Sequence, residues 1–256
     1  MAEPVRHAHA ETLYQAMRGA AAVDQLSATA AVTLEDAYAI QSRGMRLREA
    51  AGERIVGMKL GFTSQAKMAQ MGISEMIFGQ LTDAMRVEAG GSLRRSLFIH
   101  PRAEPEIAFV LGEPIRGEIT REQARRAVAA VCPAIEIIDS RYRNFRFSLA
   151  DVVADNSSSS AFVLGEPGPA DLDIGDLQMA ISIDGEVQRT GSTAAILGDP
   201  WRSVIAAARF AEKYGVALRA GDILFAGAAT EAVAFEAGNE VRVEAAGFAP
   251  VSFTVA

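Results

Sequence analysis

The spacing of apolar residues divides the chain into a helical first portion and a strand-rich remainder. Over residues 11 to about 51, apolar side chains recur every three or four positions, which predicts two helices, the second beginning near Leu34. Thr33 followed by Asp36 is a variant of the capping-box pattern that marks a helix start. We therefore expect a helical portion over 1–55.

Beyond this portion the apolar runs become short and are separated by Gly, Pro, Asn and Asp, which is typical of β-strands. Two helical inserts, over 120–131 and 200–214, interrupt them. We predict one α+β domain, residues 1–256, with a strand-rich core over 56–256. The segments that predict strands are 55–62, 103–112, 130–139, 159–165, 178–191, 222–229 and 240–255.

Composition and charge narrow the class of protein. Half of the 256 residues are apolar and 22% are charged, as in ordinary globular proteins. The net charge of −7, without a stripe of Lys and Arg, argues against nucleic acid and anionic membranes as partners. No 18-residue apolar run or signal-like start is present, and Cys132 is the single cysteine, so we expect a cytoplasmic protein. With three histidines and one cysteine, carboxylates are the expected ligands of any metal.

Three glutamates on two predicted strands carry the strongest chemical signal. Glu104 and Glu106 are two residues apart and share one strand face, a pattern that a solvated surface also shows. Glu136 stands between Ile135 and Ile137 in a run that predicts a buried strand, where an unpaired carboxylate is costly. Together these carboxylates favour a Mg²⁺ or Mn²⁺ site with positions left for water or substrate.

Lys59 lies in an apolar strand with Gly57 and Gly61 on its own face, where the missing side chains let a ligand approach. Two interpretations remain open. Lys59 is either an edge-strand lysine that points to water, or a partly buried ammonium that polarises a carbonyl, holds a carboxylate or forms a Schiff base.

An arginine-rich segment and two groups of small residues offer further polar groups. Arg141 and Arg143 stand beside aromatic residues; guanidinium groups suit carboxylate recognition, although such arginines also pair with surface acids. The serines at 157–160 form either a plain loop or donors for a bound carboxylate. The turn at 227–230 is either structural or presents N–H groups to an anion.

Four segments of the chain carry a resemblance to a known family: GMKLGFTSQAKMAQMGISEMIFGQLTDAM, FIHPRAEPEIAFVLGEPI, PAIEIIDSRYRNFRF and DVVADNSSSSAFVLG. In the order and spacing of these segments the chain resembles, over nearly its whole length, the hydratase and decarboxylase family within the fumarylacetoacetate hydrolase superfamily. Within the family, IDSRYRNFRF and KMAQMG resemble the decarboxylase branch. The resemblance implies mixed β-strands rolled around a central site, a β-roll.

The resemblance also implies roles for particular residues. Mg²⁺ or Mn²⁺ would lie on Glu104, Glu106 and Glu136, while Lys59 and Ser159 would contact the substrate. Hydratases of the family carry an aspartate where this chain has isoleucine, just before a Phe/Tyr-Gly pair, and this departure favours the decarboxylase branch. The expected substrate-binding residues are Ile77, Phe78, Arg141, Arg143, Ser160 and Thr230.

The implied reaction is the metal-dependent decarboxylation of 2-oxo-3-hexenedioate to 2-hydroxypenta-2,4-dienoate and CO₂ in meta-cleavage aromatic catabolism. The departing carboxylate would lie in an apolar region walled by Ile77 and Phe78. The alternatives are a 2-hydroxypentadienoate hydratase with the same metal site, a C–C bond hydrolase, and an inactive partner subunit of a hydratase. The implied partners are the 2-oxo dicarboxylate substrate, further copies of the chain and the pathway's hydratase.

Overall fold

The computed structural model describes residues 1–64, 76–169 and 172–256. Within those ranges no helix combines the length and apolarity needed to cross a lipid bilayer. The helices described are α1 (Glu3–Gly19), α2 (Leu34–Ala50), α3 (Arg121–Ala127), α4 (Leu149–Ala154) and α5 (Trp201–Tyr214).

The described strands form two sheets, which confirms the predicted α+β class. The larger is a mixed, nine-stranded sheet in the order β2-β1-β11-β5-β6-β7-β3, with β12 beside β5 and β8 beside β6. The smaller has five strands in the order β10-β9-β13-β14-β4. The strands are β1 (Ile55–Gly61), β2 (Ile77–Thr82), β3 (Arg86–Val87), β4 (Ser92–Leu93), β5 (Arg102–Leu111), β6 (Val128–Ile138), β7 (Ser159–Leu164), β8 (Gly168–Pro169), β9 (Gln178–Ile183), β10 (Glu186–Ser192), β11 (Ile223–Ala228), β12 (Val233–Ala234), β13 (Glu240–Ala245) and β14 (Val251–Val255).

Helix α5 packs against the central strands of the larger sheet through buried side chains. The rings of Phe109 on β5 and Trp201 on α5 lie 4.9 Å apart. Ser203 Oγ of the same helix donates a hydrogen bond of 2.7 Å to the carbonyl of Ala226 on β11. Buried aromatic contacts and satisfied polar groups stabilise this packing. Helix α5 therefore packs directly against β5, which carries two of the glutamates, and against β11, which lies beside the strand of Lys59.

The helical portion packs into the same core as the sheets. Ala10, Leu13 and Ile40 of α1 and α2 belong to one continuous cluster of buried residues with the strands. The start of α2 has a complete capping box: Thr33 Oγ1 accepts from Asp36 N at 3.1 Å, and Asp36 Oδ2 accepts from Thr33 N at 3.4 Å. The predicted start of α2 is confirmed, whereas α1 begins at Glu3 rather than near residue 11.

One element prediction has wrong bounds, and one helix was not predicted. The helix expected over 120–131 ends at Ala127, and β6 begins at Val128, which pairs with Leu111 of β5. The β-branched Val128 fits the buried ladder better than a further helical turn. The sequence analysis assigns no element to the residues of α4, a short helix that Ser148 caps by accepting from Asp151 N.

Candidate active site

Three carboxylates meet where β5 and β6 run side by side. Glu104 lies directly opposite Glu136 in the antiparallel register, and Glu106 shares the face of Glu104 two residues along β5. Oxygens of the three side chains lie within 4.8 Å of one another. Glu106 and Glu136 are 1% and 0% exposed, so the cluster reaches into the protein interior, as the sequence pattern of β6 predicts.

The three neighbouring carboxylates repel one another unless a positive charge lies between them. Burial raises the pKa of Glu106 well above its usual range, and the carboxylates of Glu136 and Glu104 raise it further. Lys59 and the N–H of Gly227 act in the opposite direction. Glu106 Oε1 is buried and has no hydrogen-bond partner among the described residues. Three converging oxygen ligands with an unsatisfied buried oxygen fit Mg²⁺ or Mn²⁺.

Lys59 completes the charged end of the site. Its Nζ lies 3.1 Å from Oε1 and 3.2 Å from Oε2 of Glu136, and its side chain is 4% exposed. Because β1 lies between β2 and β11, Lys59 is not on an edge strand, and the interpretation of a lysine pointing to water is wrong. A buried ammonium at this distance balances part of the negative charge of the glutamates.

Gly227 positions the carboxylate of Glu106. Its backbone N–H donates to Glu106 Oε2 at 2.8 Å. The φ of Gly227 is +114°, and a Cβ at this position would lie 2.1 Å from Thr63 Oγ1, so a larger residue would force backbone or side chain to move. The turn at 227–230 does present an N–H group to an anion, and that anion is a glutamate of the protein itself.

A cavity of about 680 Å³, including its open mouth, extends from Lys59 and Glu104. Apolar side chains and several hydroxyl groups form most of the remaining lining. Among the described residues that line it, Lys59 is the one cationic side chain. We call Ile77, Ile138, Phe145, Phe147 and Val152 the apolar wall, and the hydroxyl groups belong to Thr63, Ser64, Ser157 and Ser158.

The structure brings Ser158 to this cavity, whereas Ser159 lines a separate cavity against α1 and α2. Asn156, Ser157 and Ser158 all have φ between 50° and 58°, so simple strand alternation does not hold until β7 begins at Ser159. Ser158 Oγ is buried and has no hydrogen-bond partner among the described residues. The hydroxyl of Ser159 is likewise buried without a partner among the described residues, but it is Ser158, one position earlier, that lines the cavity with Lys59 and Glu104.

Phe78 does not line this cavity, although its neighbour Ile77 does. Alternate residues of β2 face opposite sides, and the Phe78 ring packs against Tyr38 of α2 with centroids 4.8 Å apart and planes 14° apart. Tyr214 of α5 lies 5.3 Å from the same ring. The expectation that Phe78 walls the substrate is corrected by this alternation.

The two predicted arginines are engaged elsewhere. Arg141 is buried, and its guanidinium donates to the carboxylate and carbonyl of Asp155, the carbonyl of Asp139 and the hydroxyl of Ser160. Arg143 is largely exposed and forms an ion pair of 2.9 Å with Asp24. Arg141 and Ser160 therefore belong to a buried hydrogen-bond network, Arg143 forms an exposed ion pair, and none of the three lines the cavity.

The remaining predictions concern Thr230 and the KMAQMG segment. Thr230 donates to the carbonyl of Glu231 at 2.9 Å and is not among the residues of the cavity wall. The KMAQMG segment, residues 67–72, lies outside the described residues.

Several residues of the cavity were missed from the sequence. Phe145 and Phe147 were noted only as neighbours of the arginines, yet both line the apolar wall. The ring of Phe145 packs against His100, 5.0 Å away, and under the guanidinium of Arg102, 4.5 Å away. A clue was available in the alternation of arginine and aromatic residues, but the left-handed φ of Phe145, 56°, is not visible in a pattern.

The mixed sheet with buried glutamates beside a lysine defines a class of metal-dependent enzymes. Residues 54–256 match the family model described as "Fumarylacetoacetate (FAA) hydrolase C-terminal". The chain belongs to the fumarylacetoacetate hydrolase family.

Particular relatives narrow the comparison. Over 245 residues the chain is 48% identical to a 4-oxalocrotonate decarboxylase of a Pseudomonas species, covering 96% of each chain. A 2-keto-4-pentenoate hydratase of Paraburkholderia xenovorans is 38% identical, over 91% of this chain and 88% of the relative. The solved structure of 4-oxalocrotonate decarboxylase from Pseudomonas putida G7, complexed with magnesium and adipate, superposes with a TM-score of 0.96, at 35% identity, over 100% of this chain and 99% of that one.

Proposed function

We propose that the chain catalyses metal-dependent decarboxylation of 2-oxo-3-hexenedioate, also called 4-oxalocrotonate, to 2-hydroxypenta-2,4-dienoate and CO₂. The observation that carries this proposal is the cluster of three glutamates beside Lys59, of which Lys59 and Glu104 line a cavity with an apolar wall. The 48% identity to a 4-oxalocrotonate decarboxylase over nearly the whole chain supports the same reaction.

Glu104, Glu106 and Glu136 would hold Mg²⁺ or Mn²⁺. When bound, a divalent cation supplies Lewis-acid stabilisation for negative charge that develops on the substrate's 2-oxo oxygen as CO₂ leaves. In this step the C5–C6 bond breaks, its electron pair forms the C4–C5 double bond, and the original C3–C4 double bond shifts to C2–C3. Negative charge then lies on the 2-oxygen, which must gain a proton to give the product.

Lys59 is the proposed catalytic residue for that oxygen. Its ammonium group, held by Glu136, supplies positive potential at the charged end of the cavity and carries protons that the developing oxyanion can accept. The Gly227 N–H donates to Oε2 of Glu106 and so holds this carboxylate in place for the proposed metal.

The apolar wall suits the departing carboxylate. Ile77, Phe145 and Phe147 offer no hydrogen-bonding groups from their side chains, and a poorly hydrated carboxylate loses CO₂ more readily than a hydrated one. The Ser158 hydroxyl is proposed to contact the substrate in place of Ser159, because Ser158 lines this cavity and Ser159 lines a separate one.

Mass-spectrometric product analysis tests this function. The purified protein would be incubated with 2-oxo-3-hexenedioate and, separately, with 2-hydroxypentadienoate, each with Mg²⁺ and with EDTA. We expect Mg²⁺-dependent loss of CO₂ from the diacid and no hydration of the pentadienoate. An unchanged diacid together with a hydrated pentadienoate would assign the chain to the hydratases instead.

Several expectations on assembly and organisation rest on the resemblance. We propose one catalytic domain over 1–256, a homo-oligomer, an association with the pathway's hydratase and a cytoplasmic location. The core shared by the helical portion and the sheets supports the single domain. Size-exclusion chromatography with light scattering, on the purified chain alone and mixed with the hydratase, measures both kinds of assembly. A monomer would contradict the homo-oligomer, and separate elution from the hydratase would contradict the association.

A further inference from the structure

A strained turn carries the serine that lines the cavity. Asn156, Ser157 and Ser158 have φ values of 50°, 54° and 58°, so three successive non-glycine residues occupy the left-handed region. Each such residue costs conformational free energy, and the conformation persists only where surrounding contacts fix it. The contacts that fix this turn therefore determine where the Ser158 hydroxyl lies.

The side chain of Asn156 fastens the turn to β2. Its Oδ1 accepts a hydrogen bond of 2.8 Å from the backbone N–H of Gln80, and its Nδ2 donates one of 2.9 Å to the carbonyl of Gln80. An amide is needed for this pair, since alanine can make neither bond and an ionised aspartate can only accept. Asparagine also tolerates the left-handed region better than most residues with a side chain.

Residues around Asn156 also help to hold the turn against β2. A Cβ at Gly79 would lie 2.5 Å from the carbonyl oxygen of Asn156, so glycine allows the turn to approach β2. Ser157 Oγ donates to the carbonyl of Phe78 at 2.7 Å. The carbonyl of Ser158 accepts from Asp139 N at 2.8 Å. The turn is thus held on both sides, while Ser158 Oγ has no hydrogen-bond partner among the described residues.

We propose that Asn156 is a positioning residue: its paired hydrogen bonds to Gln80 hold the left-handed turn that keeps the Ser158 hydroxyl at the cavity for an oxygen of the bound dicarboxylate. The identity of that dicarboxylate rests on the proposed function. The positioning itself concerns ligand binding, and it is measurable without turnover.

A double-mutant cycle separates positioning from general stability. Asn156→Ala, Ser158→Ala and the double variant are compared with the wild type for adipate affinity in Mg²⁺, measured by calorimetry, and for kcat and KM of CO₂ release. We expect each single variant to lose about tenfold in adipate affinity and in kcat/KM. The double variant should match Ser158→Ala, because Asn156 acts through that hydroxyl.

Two further variants sharpen the test. Asn239→Ala is the matched control, since Asn239 also donates, to Asp184 at 2.7 Å, and accepts, from Glu236 N at 2.8 Å, but belongs to the loop before β13 of the other sheet. It should leave affinity and turnover unchanged. Asn156→Asp keeps the acceptor for the Gln80 N–H but turns a carboxylate oxygen toward the Gln80 carbonyl, so we expect it to lose affinity as well. It gives a second reading where Asn156→Ala folds poorly, and urea unfolding of every variant reports stability separately.

Independent losses that multiply in the double variant, or wild-type affinity and kcat/KM in Asn156→Ala, would overturn the inference. A wild-type chain that binds adipate and shows the expected cycle in affinity, yet releases no CO₂, would contradict the proposed function and support the positioning role of Asn156.

Discussion

Ile77 belongs to the apolar wall of the cavity, which Phe145 and Phe147 also line. In Ile77→Asp a carboxylate would hydrate this wall and repel the departing carboxylate of the substrate. We expect kcat for CO₂ release to fall by about 10- to 100-fold, measured at saturating substrate and Mg²⁺. Ile77→Leu keeps the wall apolar and should retain most of the activity. A wild-type kcat in Ile77→Asp would contradict the role of this wall.

Replacing Gly227 tests whether its N–H holds the Glu106 carboxylate in place. In Gly227→Ala the new Cβ would collide with Thr63, which lies 2.1 Å from it, and the N–H that holds Glu106 Oε2 would shift. We expect the Mg²⁺ affinity to fall about tenfold, measured by calorimetry. Gly221→Ala is the matched control, because Gly221 has a φ of +88° but open space around its Cβ position. An equal loss of affinity in both variants would mean that backbone strain alone is responsible.

Single residues were predictable where strand alternation holds and unpredictable where it breaks. The glutamate pair on β5 and Glu136 on β6 follow directly from spacing and from the cost of a buried carboxylate. Ser158 does not, because the left-handed residues before it break the alternation of facing. Arg141 was misassigned since a sequence cannot show that Asp155 engages its guanidinium.

At the scale of elements, the start of α2 links sequence directly to pH-dependent stability. Burial alone would raise the pKa of Asp36, but hydrogen bonds from Arg6, the amino terminus and Thr33 lower it well below its usual value. A carboxyl with a lowered pKa stabilises the folded state above its unfolded pKa, about 4, and that stabilisation is lost as pH falls toward the folded pKa.

Asp36→Asn should therefore lower the free energy of unfolding by about 1–3 kcal/mol at pH 7, and by less near pH 3. Urea unfolding at the two pH values measures this difference. Thr120→Ala is the control, because the capping box of α3 pairs Thr120 with Gln123, which does not titrate, so its cost should be the same at both pH values. An Asp36→Asn effect that does not depend on pH would contradict the charge-based account.

The elements that sequence reasoning missed share a physical cause. The end of α3 and the start of β6 meet without a loop, and tertiary pairing of Val128 with Leu111 decides between helix and strand. Helix α4 has six residues, too few for a periodic pattern to show, although Ser148 and Asp151 cap it. By contrast, α2 and α5 are long and capped or terminated by clear signals, and both were predicted.

For the whole molecule, the metal site should contribute to the stability of the folded chain. Only the folded state brings the three glutamates together, so a cation that binds them favours folding. At a Mg²⁺ concentration 100 times its Kd, the stabilisation is about 2.7 kcal/mol, and Tm should rise by roughly 5–10 °C. Thermal unfolding in Mg²⁺, in EDTA and in NaCl of equal ionic strength measures the shift. Equal Tm values in all three solutions would contradict a structural contribution from the site.

The overall architecture was predicted at two levels. Hydrophobic patterning gave the α+β class and most strands of the larger sheet, whereas the rolled arrangement came from family resemblance. Local patterns do not reveal that β1 pairs with β11, because Met58 and its partner Leu224 lie 166 positions apart in the chain and neither residue carries a sign of the other. Because β11 in turn pairs with β5, these two pairings bring Lys59 to the glutamates.

The most direct test of the central claim measures metal occupancy and turnover together. Mn²⁺ would be titrated into the metal-free wild type and into Glu106→Gln, with bound Mn²⁺ followed by electron paramagnetic resonance and CO₂ release from 2-oxo-3-hexenedioate in the same samples. Glu118→Gln is the control, because this exposed glutamate pairs with Arg209 at 2.9 Å outside the cavity. We predict that CO₂ release follows the occupancy of one Mn²⁺ site per chain in the wild type and the control, and that Glu106→Gln loses at least about 100-fold in Mn²⁺ affinity and in CO₂ release. CO₂ release by the metal-free protein, or wild-type Mn²⁺ affinity in Glu106→Gln, would contradict the account.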